Sequence, residues 1–230
     1  MALARVPEPE LMDTATEADD YDRMDFAAVH DLFVQDAHAF LGRSRALLDV
    51  GTGTGTIPLT YLERHVPERF VCLDAAPAML ARAEVNRRLV RNAERLVFVL
   101  GSATAMPFLG GAFDGVCSNS LVHHLPNPVS FFAEVARVVA PGGRVFVRDL
   151  ARPATDELLR AQVDAHARIP DEAAGDTRAR FERQRALFHA SLHAAYTVEE
   201  VLAMTREAGL MDARIALTSD RHWTLTWVKP

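Results

Sequence analysis

Between Arg45 and Thr56 the chain reads RALLDVGTGTGT, an apolar run that ends in an acid and then breaks into alternating glycines. Ala46, Leu47, Leu48 and Val50 make a short continuous apolar segment, the pattern of a strand covered on both faces in a parallel sheet. Asp49 sits near its carboxyl end. Gly51, Gly53 and Gly55 supply positions where φ can be positive and where no Cβ holds a ligand away from the backbone. Pro58 suits the first turn of a helix, with Leu59, Leu62 and Val66 marking its buried face. The free N–H groups of that helix start form a seat for a carboxylate. A dinucleotide fingerprint, G-x-G-x-x-G, would need glycine at position 56, which is Thr56. A nicotinamide ligand is therefore disfavoured, and a glycine turn that binds nothing is the bland alternative.

The chain downstream repeats the strand and helix alternation. A second strand, Phe70 to Asp74, ends in an acid nineteen residues after Gly55, where a carboxylate can accept both hydroxyls of a ribose. Asp74-Ala75-Ala76-Pro77-Ala78-Met79 opens a helix running to about Val90, and a third strand spans Leu96 to Leu100. Phe113 begins a fourth strand that runs into Ser118-Asn119-Ser120-Leu121-Val122-His123-His124, at the carboxyl end where ligands of open α/β sheets sit. Phe131, Phe132, Val135, Val138 and Val139 form an amphipathic helix that Pro141-Gly142-Gly143 is expected to end, and the fifth strand is Arg144 to Asp149. Asp149 is a candidate general base or acceptor anchor, or a cap for the following segment. Thr197 and Glu200 form a capping box for a helix that stops at Gly209.

Together the glycine turn, Asp74, the fourth-strand phrase and the P-G-G strand resemble the class I S-adenosylmethionine-dependent methyltransferases over residues 45 to 150. The resemblance is nearest to the small-molecule type that includes ubiquinone and menaquinone biosynthesis enzymes. It implies a Rossmann-like, doubly wound α/β sheet of seven strands, the seventh antiparallel and inserted between fifth and sixth. It also implies S-adenosylmethionine as cofactor, S-adenosylhomocysteine as product, and methyl transfer to a small-molecule acceptor. The cofactor-binding set carried over is Gly51, Thr52, Gly53, Gly55, Asp74, Ala75, Met79, Ser102, Ala103, Asn119 and Tyr21. Ser102 departs from the family, which carries an acid there for the adenine amino group; a hydroxyl accepts without charge assistance, and the Ala103 backbone could take the contact. His124, Asp149 and His123 are the catalytic candidates.

Residues 1 to 18 read as a loose lead-in to a single domain over 19 to 230, with a helical cap at 19–42 and a helical lid at 151–196. The cap is expected as one helical run from Tyr21 to Leu41, and Tyr21 with Asp22 resembles the residues that close over the cofactor. In the lid, His189 and His193 share a helix face, and His166 lies on the first stretch. Asp220, Arg221 and His222 join the last two strands in what reads as a solvated turn, with contact to the substrate as the alternative.

A net charge of −6 argues against a nucleic-acid footprint, and a single lysine, Lys229, next to last in the sequence, argues against lysine-nucleophile chemistry. Cys72 and Cys117 read as buried free thiols, and no apolar run suits a leader or membrane span, so a cytoplasmic protein is expected. No metal is expected, since no Cys or Glu stands at a short ligand spacing from the histidine pair. A homodimer is open. A protein that binds the cofactor without transferring methyl is the alternative function.

Overall fold

The computed structural model describes residues 3–8, 13–24 and 26–230. Seven strands, β1 (Ala46–Val50), β2 (Arg69–Asp74), β3 (Leu96–Leu100), β4 (Phe113–Asn119), β5 (Val139–Leu150), β6 (Arg214–Leu217) and β7 (His222–Val228), lie in the order β3-β2-β1-β4-β5-β7-β6. The pairs from β3 across to β5 are parallel, and β7 runs antiparallel to both β5 and β6, as expected. The order reverses between β1 and β4, and in an open sheet the ligand crevice opens beyond the carboxyl ends of such a pair.

Helices cover both faces because the strands alternate. Leu48 and Val50 of β1 join the core that includes Phe131 and Phe132 of α5 (Pro128–Val138) and Val201 of α8 (Val198–Glu207). Leu47 turns to the other core, with Phe33 of α2 (Ala27–Leu41) and Tyr61 of α3 (Thr56–Arg64). Full burial of a side chain such as Phe131 contributes roughly 1.5–3 kcal/mol, and Phe131 and Phe132 are both wholly buried. Cys72 and Cys117 are free thiols in the second core.

Several expectations are corrected. The cap is two helices, α1 (Ala15–Asp22) and α2, because Thr14 and Glu17 form a capping box that starts a helix before Tyr21. Val66 lies beyond the end of α3 and is exposed. Helix α5 ends at Val138 with Val139 already extended, so Pro141-Gly142-Gly143 is no helix cap. These residues lie within β5, where the register against β4 shifts between Phe113 and Gly115, with Gly142 at φ 75°. The 1–18 segment is not loose where it is described: Leu3 N donates to Ala154 O at 3.0 Å, and Val6 N donates to His193 O at 3.1 Å. Both acceptors lie in the 151–196 region, which carries α6 (Asp156–His166) and α7 (Gly175–Ala194). Helix α4 (Pro77–Arg87) follows β2 and packs on α1.

Candidate active site

One cavity of about 900 Å³ opens beyond the carboxyl ends of β1 and β4 and extends under α7. Its inner end is backbone. Gly51, Gly53 and Gly55 all have positive φ. A Cβ on Gly51 would strike the Leu121 side chain at 2.9 Å, whereas one on Gly53 would find only the Tyr21 ring, at 3.9 Å. Helix α3 starts at Gly55 without a side-chain cap, leaving its first-turn donors for a ligand. Asp74 is held across the turn, Oδ2 accepting from Gly53 N at 2.7 Å and Oδ1 from Ala76 N at 2.9 Å. Burial raises the Asp74 carboxyl above its ordinary range, although the backbone donors Ala76, Gly53 and Ala75 oppose that. Asp49 lies fully buried in the strand below, its carboxyl pushed up to about 6 by burial.

The rest of the glycine-turn wall brings most of the expected residues together. Thr52, Ala75, Met79, Ser102, Ala103, Asn119 and Tyr21 all line the cavity. Met79 packs with Ala18, Ala76 and Tyr21, and the Ser102 hydroxyl lies 2.9 Å from that of Thr104. Gly55 does not line the cavity; a Cβ there would meet Ala83 at 3.1 Å, so it serves close packing of the turn on α4. Asp22 is also diverted, bound to Arg82 at 2.7 Å and Asn86 at 2.6 Å on α4. Ser118 lies below the pocket, its hydroxyl donating to Val50 O at 2.7 Å. Ser120 lines the cavity at φ 54°, an uncommon conformation for a residue with a Cβ.

Midway along the cavity stand two histidine and carboxylate pairs, their imidazole centroids 4.0 Å apart. His123 Nδ1 lies 2.5 Å from Asp149 Oδ1, and Asp149 also accepts from the backbone N–H of Val122 and of Leu150. Burial alone would lower the His123 pKa, but the Asp149 charge and hydrogen bond outweigh it and His123 titrates above its ordinary value. His124 Nδ1 pairs with Glu8, whose other oxygen accepts from Ser191 Oγ at 2.6 Å. Burial and the neighbouring His123 charge lower the His124 pKa despite Glu8. The Glu8 carboxyl, which burial alone would raise, is brought down to about 2 by His124 and Ser191. Nδ1 of His124 is engaged by the Glu8 carboxylate, which leaves Nε2 as its other ring nitrogen.

Asp149, expected to face the pocket, is completely buried and does not line it. It orients His123 and cannot touch a bound molecule. Glu8 escaped the sequence reading altogether, since nothing local marks a residue more than a hundred positions from its partner. It is delivered by Arg5, whose Nε donates to Ala194 O at 2.6 Å and whose Nη2 donates to His123 O at 3.0 Å, with the guanidinium 4.0 Å above the Tyr196 ring. Glu8, His123 and His124 also bring one potential metal-ligand atom each within 4.8 Å of the others, which sequence spacing did not reveal. In this structure both Nδ1 atoms face carboxylates, as in two hydrogen-bonded pairs.

The outer end is made of lid and turn side chains. Phe181 and Phe188 of α7 line it with Leu150, His166 and Arg168. The 219–222 join is solvated only in its first half: Ser219 and Asp220 are exposed, with Asp220 holding His166 Nε2 at 2.5 Å, whereas Arg221 and His222 line the cavity. Burial pushes His222 down to about 4, with Arg221 adding to the effect. His189 and His193 stack on each other at 6.0 Å and lie outside the cavity lining.

Residues 48–147 match the family model of the methyltransferase domain. The chain is 32% identical over 106 residues to the ubiquinone/menaquinone biosynthesis C-methyltransferase UbiE of Paracoccus denitrificans, covering 46% of this chain and 42% of that protein. It is 31% identical over 169 residues to the malonyl-[acyl-carrier protein] O-methyltransferase of Geobacter sulfurreducens, covering 74% and 57%. The chain thus spans about half the length of the curated relatives it matches. Among solved structures, a SAM-dependent methyltransferase from Aquifex aeolicus superposes with TM-score 0.65 at 18% identity, covering 94% of this chain and 99% of that one, a likeness of fold. The glycine turn and the acid at the end of β2 lie within residues 48–147, the stretch over which this chain is similar to the methyltransferase domain, and its seven-stranded sheet shares the fold of the solved methyltransferase structure.

Proposed function

We propose that this chain transfers the methyl group of S-adenosylmethionine to a small-molecule acceptor by direct in-line displacement. The observation that carries the reading is one continuous cavity with a glycine turn and Asp74 at one end and His123 and His124 midway. The residues present fit the cofactor: Gly53 leaves a cradle that a Cβ would narrow, α3 presents uncapped donors, and the Asp74 carboxylate, held by backbone N–H groups, keeps lone-pair capacity for ribose hydroxyls. Bound there, S-adenosylmethionine supplies a methyl group already activated by its sulfonium.

The chain's own part is to bind, align and exclude water. Asp74 anchors the ribose, Met79 packs against the adenine, and Ser102, Ala103 and Asn119 complete the wall. His124 Nε2 removes a proton from the acceptor where one is lost, with Glu8 holding the ring in the tautomer that exposes this nitrogen. Asp149 positions His123 beside it. The cavity's extension past His124 to the lid favours transfer over mere cofactor binding, since it leaves room for an acceptor. Among the described residues no helix is long and apolar enough to cross a membrane.

Calorimetric titration of S-adenosylhomocysteine into the protein, with NAD as control and Asp74→Ala in parallel, tests the reading. Micromolar binding that weakens about tenfold or more in the variant is expected, because each bond to a charged acceptor contributes roughly 1.5–3 kcal/mol. Tighter binding of NAD, or no binding of S-adenosylhomocysteine, would overturn it. Methyl transfer in an acceptor screen then separates an enzyme from a cofactor-binding subunit.

A further inference from the structure

The chain as a whole is acidic, with 31 Asp and Glu against 25 Lys and Arg. The cavity inverts that balance. Among the described residues, Asp74 at the glycine-turn end is the only carboxylate that lines it, whereas Arg168, Arg185 and Arg221 line its lid end. The three arginines are not equivalent. Arg185 is consumed by structure, donating to Val163 O and Ala167 O at 3.2 Å at the end of α6 and pairing with Asp164. Arg168 is at the rim, its side chain 75% exposed and paired with the exposed Asp171.

Arg221 differs from both. Its side chain is only 18% exposed. All of its side-chain contacts run through one nitrogen: Nη1 reaches Asp220 Oδ1 at 3.2 Å and the His166 ring at 2.9 Å. Nε and Nη2 hold no partner among the described residues. That edge presents two parallel N–H donors, the arrangement that accepts a carboxylate or phosphate through two hydrogen bonds. Asp220 is itself engaged by His166 at 2.5 Å, so it neutralises Arg221 only in part. The same cavity is lined by the apolar side chains of Phe181, Phe188 and Leu150.

We infer that the acceptor is an amphiphilic anion, an apolar body packed against Phe181 and Phe188 with a carboxylate or phosphate seated on the Nε and Nη2 edge of Arg221. The inference deepens the methyltransferase reading by naming its substrate class, and it rests on that reading for the word acceptor. A cationic acceptor is disfavoured, since among the described residues no carboxylate lines the lid end to receive it. The rival occupant of the Arg221 edge is the amino-acid carboxylate of the cofactor itself.

The test uses the full chain saturated with S-adenosylhomocysteine and three probes of one shape: 3-phenylpropanoate, 3-phenylpropanol and 3-phenylpropylamine. 2-Phenylethyl phosphate is added to distinguish phosphate from carboxylate. Dissociation constants from calorimetry should rank an anion first, about tenfold or more below the alcohol, as a charge-assisted pair of hydrogen bonds requires, and the amine last. Arg221→Gln should bring acid and alcohol to within about twofold while S-adenosylhomocysteine affinity stays unchanged. Arg221→Lys, which keeps the charge and loses the edge, should retain part of the preference, and it serves if the glutamine variant does not fold. Equal binding of acid and alcohol to the intact protein would overturn the inference. So would an anion preference that disappears when S-adenosylhomocysteine is bound, or S-adenosylhomocysteine affinity that falls with Arg221. Repeating the series without S-adenosylhomocysteine separates the two readings: if that ligand fails to bind but the anion preference persists, the anion site stands and the methyltransferase reading falls.

Discussion

The two ends of the cavity are built by different means. At the glycine-turn end the donors are backbone N–H groups of a turn contiguous in sequence, and one acid, Asp74, closes the frame from the next strand. At the histidine and lid end the groups are side chains drawn from four distant places: the segment around Glu8, the β4 loop, helices α6 and α7, and the turn before β7. A backbone cradle tolerates change in nearly every side chain around it. An assembly of side chains depends on each segment arriving, which allows the acceptor chemistry to vary while the cofactor end stays as it is.

That contrast can be broken at either end. The largest effect is expected from His124→Ala, which should lower methyl transfer by roughly 10²–10⁴-fold, the usual contribution of a positioned general base. S-adenosylhomocysteine affinity should stay unchanged; a loss of affinity would mean that the two ends are not separate. Asp149→Ala comes next. It strands buried His123 and two backbone donors, and breaking a buried pair by removing one partner costs about 3–5 kcal/mol, to be read from the urea midpoint. A change below about 1 kcal/mol would remove Asp149 from its positioning role, since surface pairs are worth no more than that.

Glu8→Gln should reduce turnover by about 10–100-fold, as loss of a partner that orients a histidine does. It also carries a pH signature. His124 titrates below its ordinary value of 6.5, so turnover should fall only on the acid side of that pH, as the base becomes protonated. Removing Glu8, which favours the protonated ring, should move that limb lower still; a limb that does not move would exclude the pair from catalysis. The smallest effect belongs to the cofactor end. Because Asp74 titrates above the ordinary aspartate range and binds ribose when ionised, S-adenosylhomocysteine affinity should weaken as pH falls through that raised value. A dissociation constant flat down to pH 4 would show that the carboxylate is not used.

Much of the fold was legible because it rests on local periodicity. The apolar run of β1, the acid ending β2 and the Thr197 to Glu200 capping box are each set by neighbours a few residues away. The same signal stands at Thr14 and Glu17, within a segment whose composition is that of a loose tail. Spacing cannot tell a glycine that meets a ligand from one that, like Gly55, meets Ala83. Asp149 stands at a strand's carboxyl end, where pockets open, yet the N–H groups of Val122 and Leu150 and the His123 ring hold it in the interior.

By itself the sequence determined the strand order's raw material, the glycine turn and the acid nineteen residues beyond it, because those are contacts between near neighbours whose geometry the backbone repeats. Only the tertiary structure decided that Glu8 meets His124, that Asp220 meets His166 and that Arg221 lines the cavity. These pairings close long loops of chain. Such closure is driven by burial of the whole core, and nothing in either partner's local sequence records it.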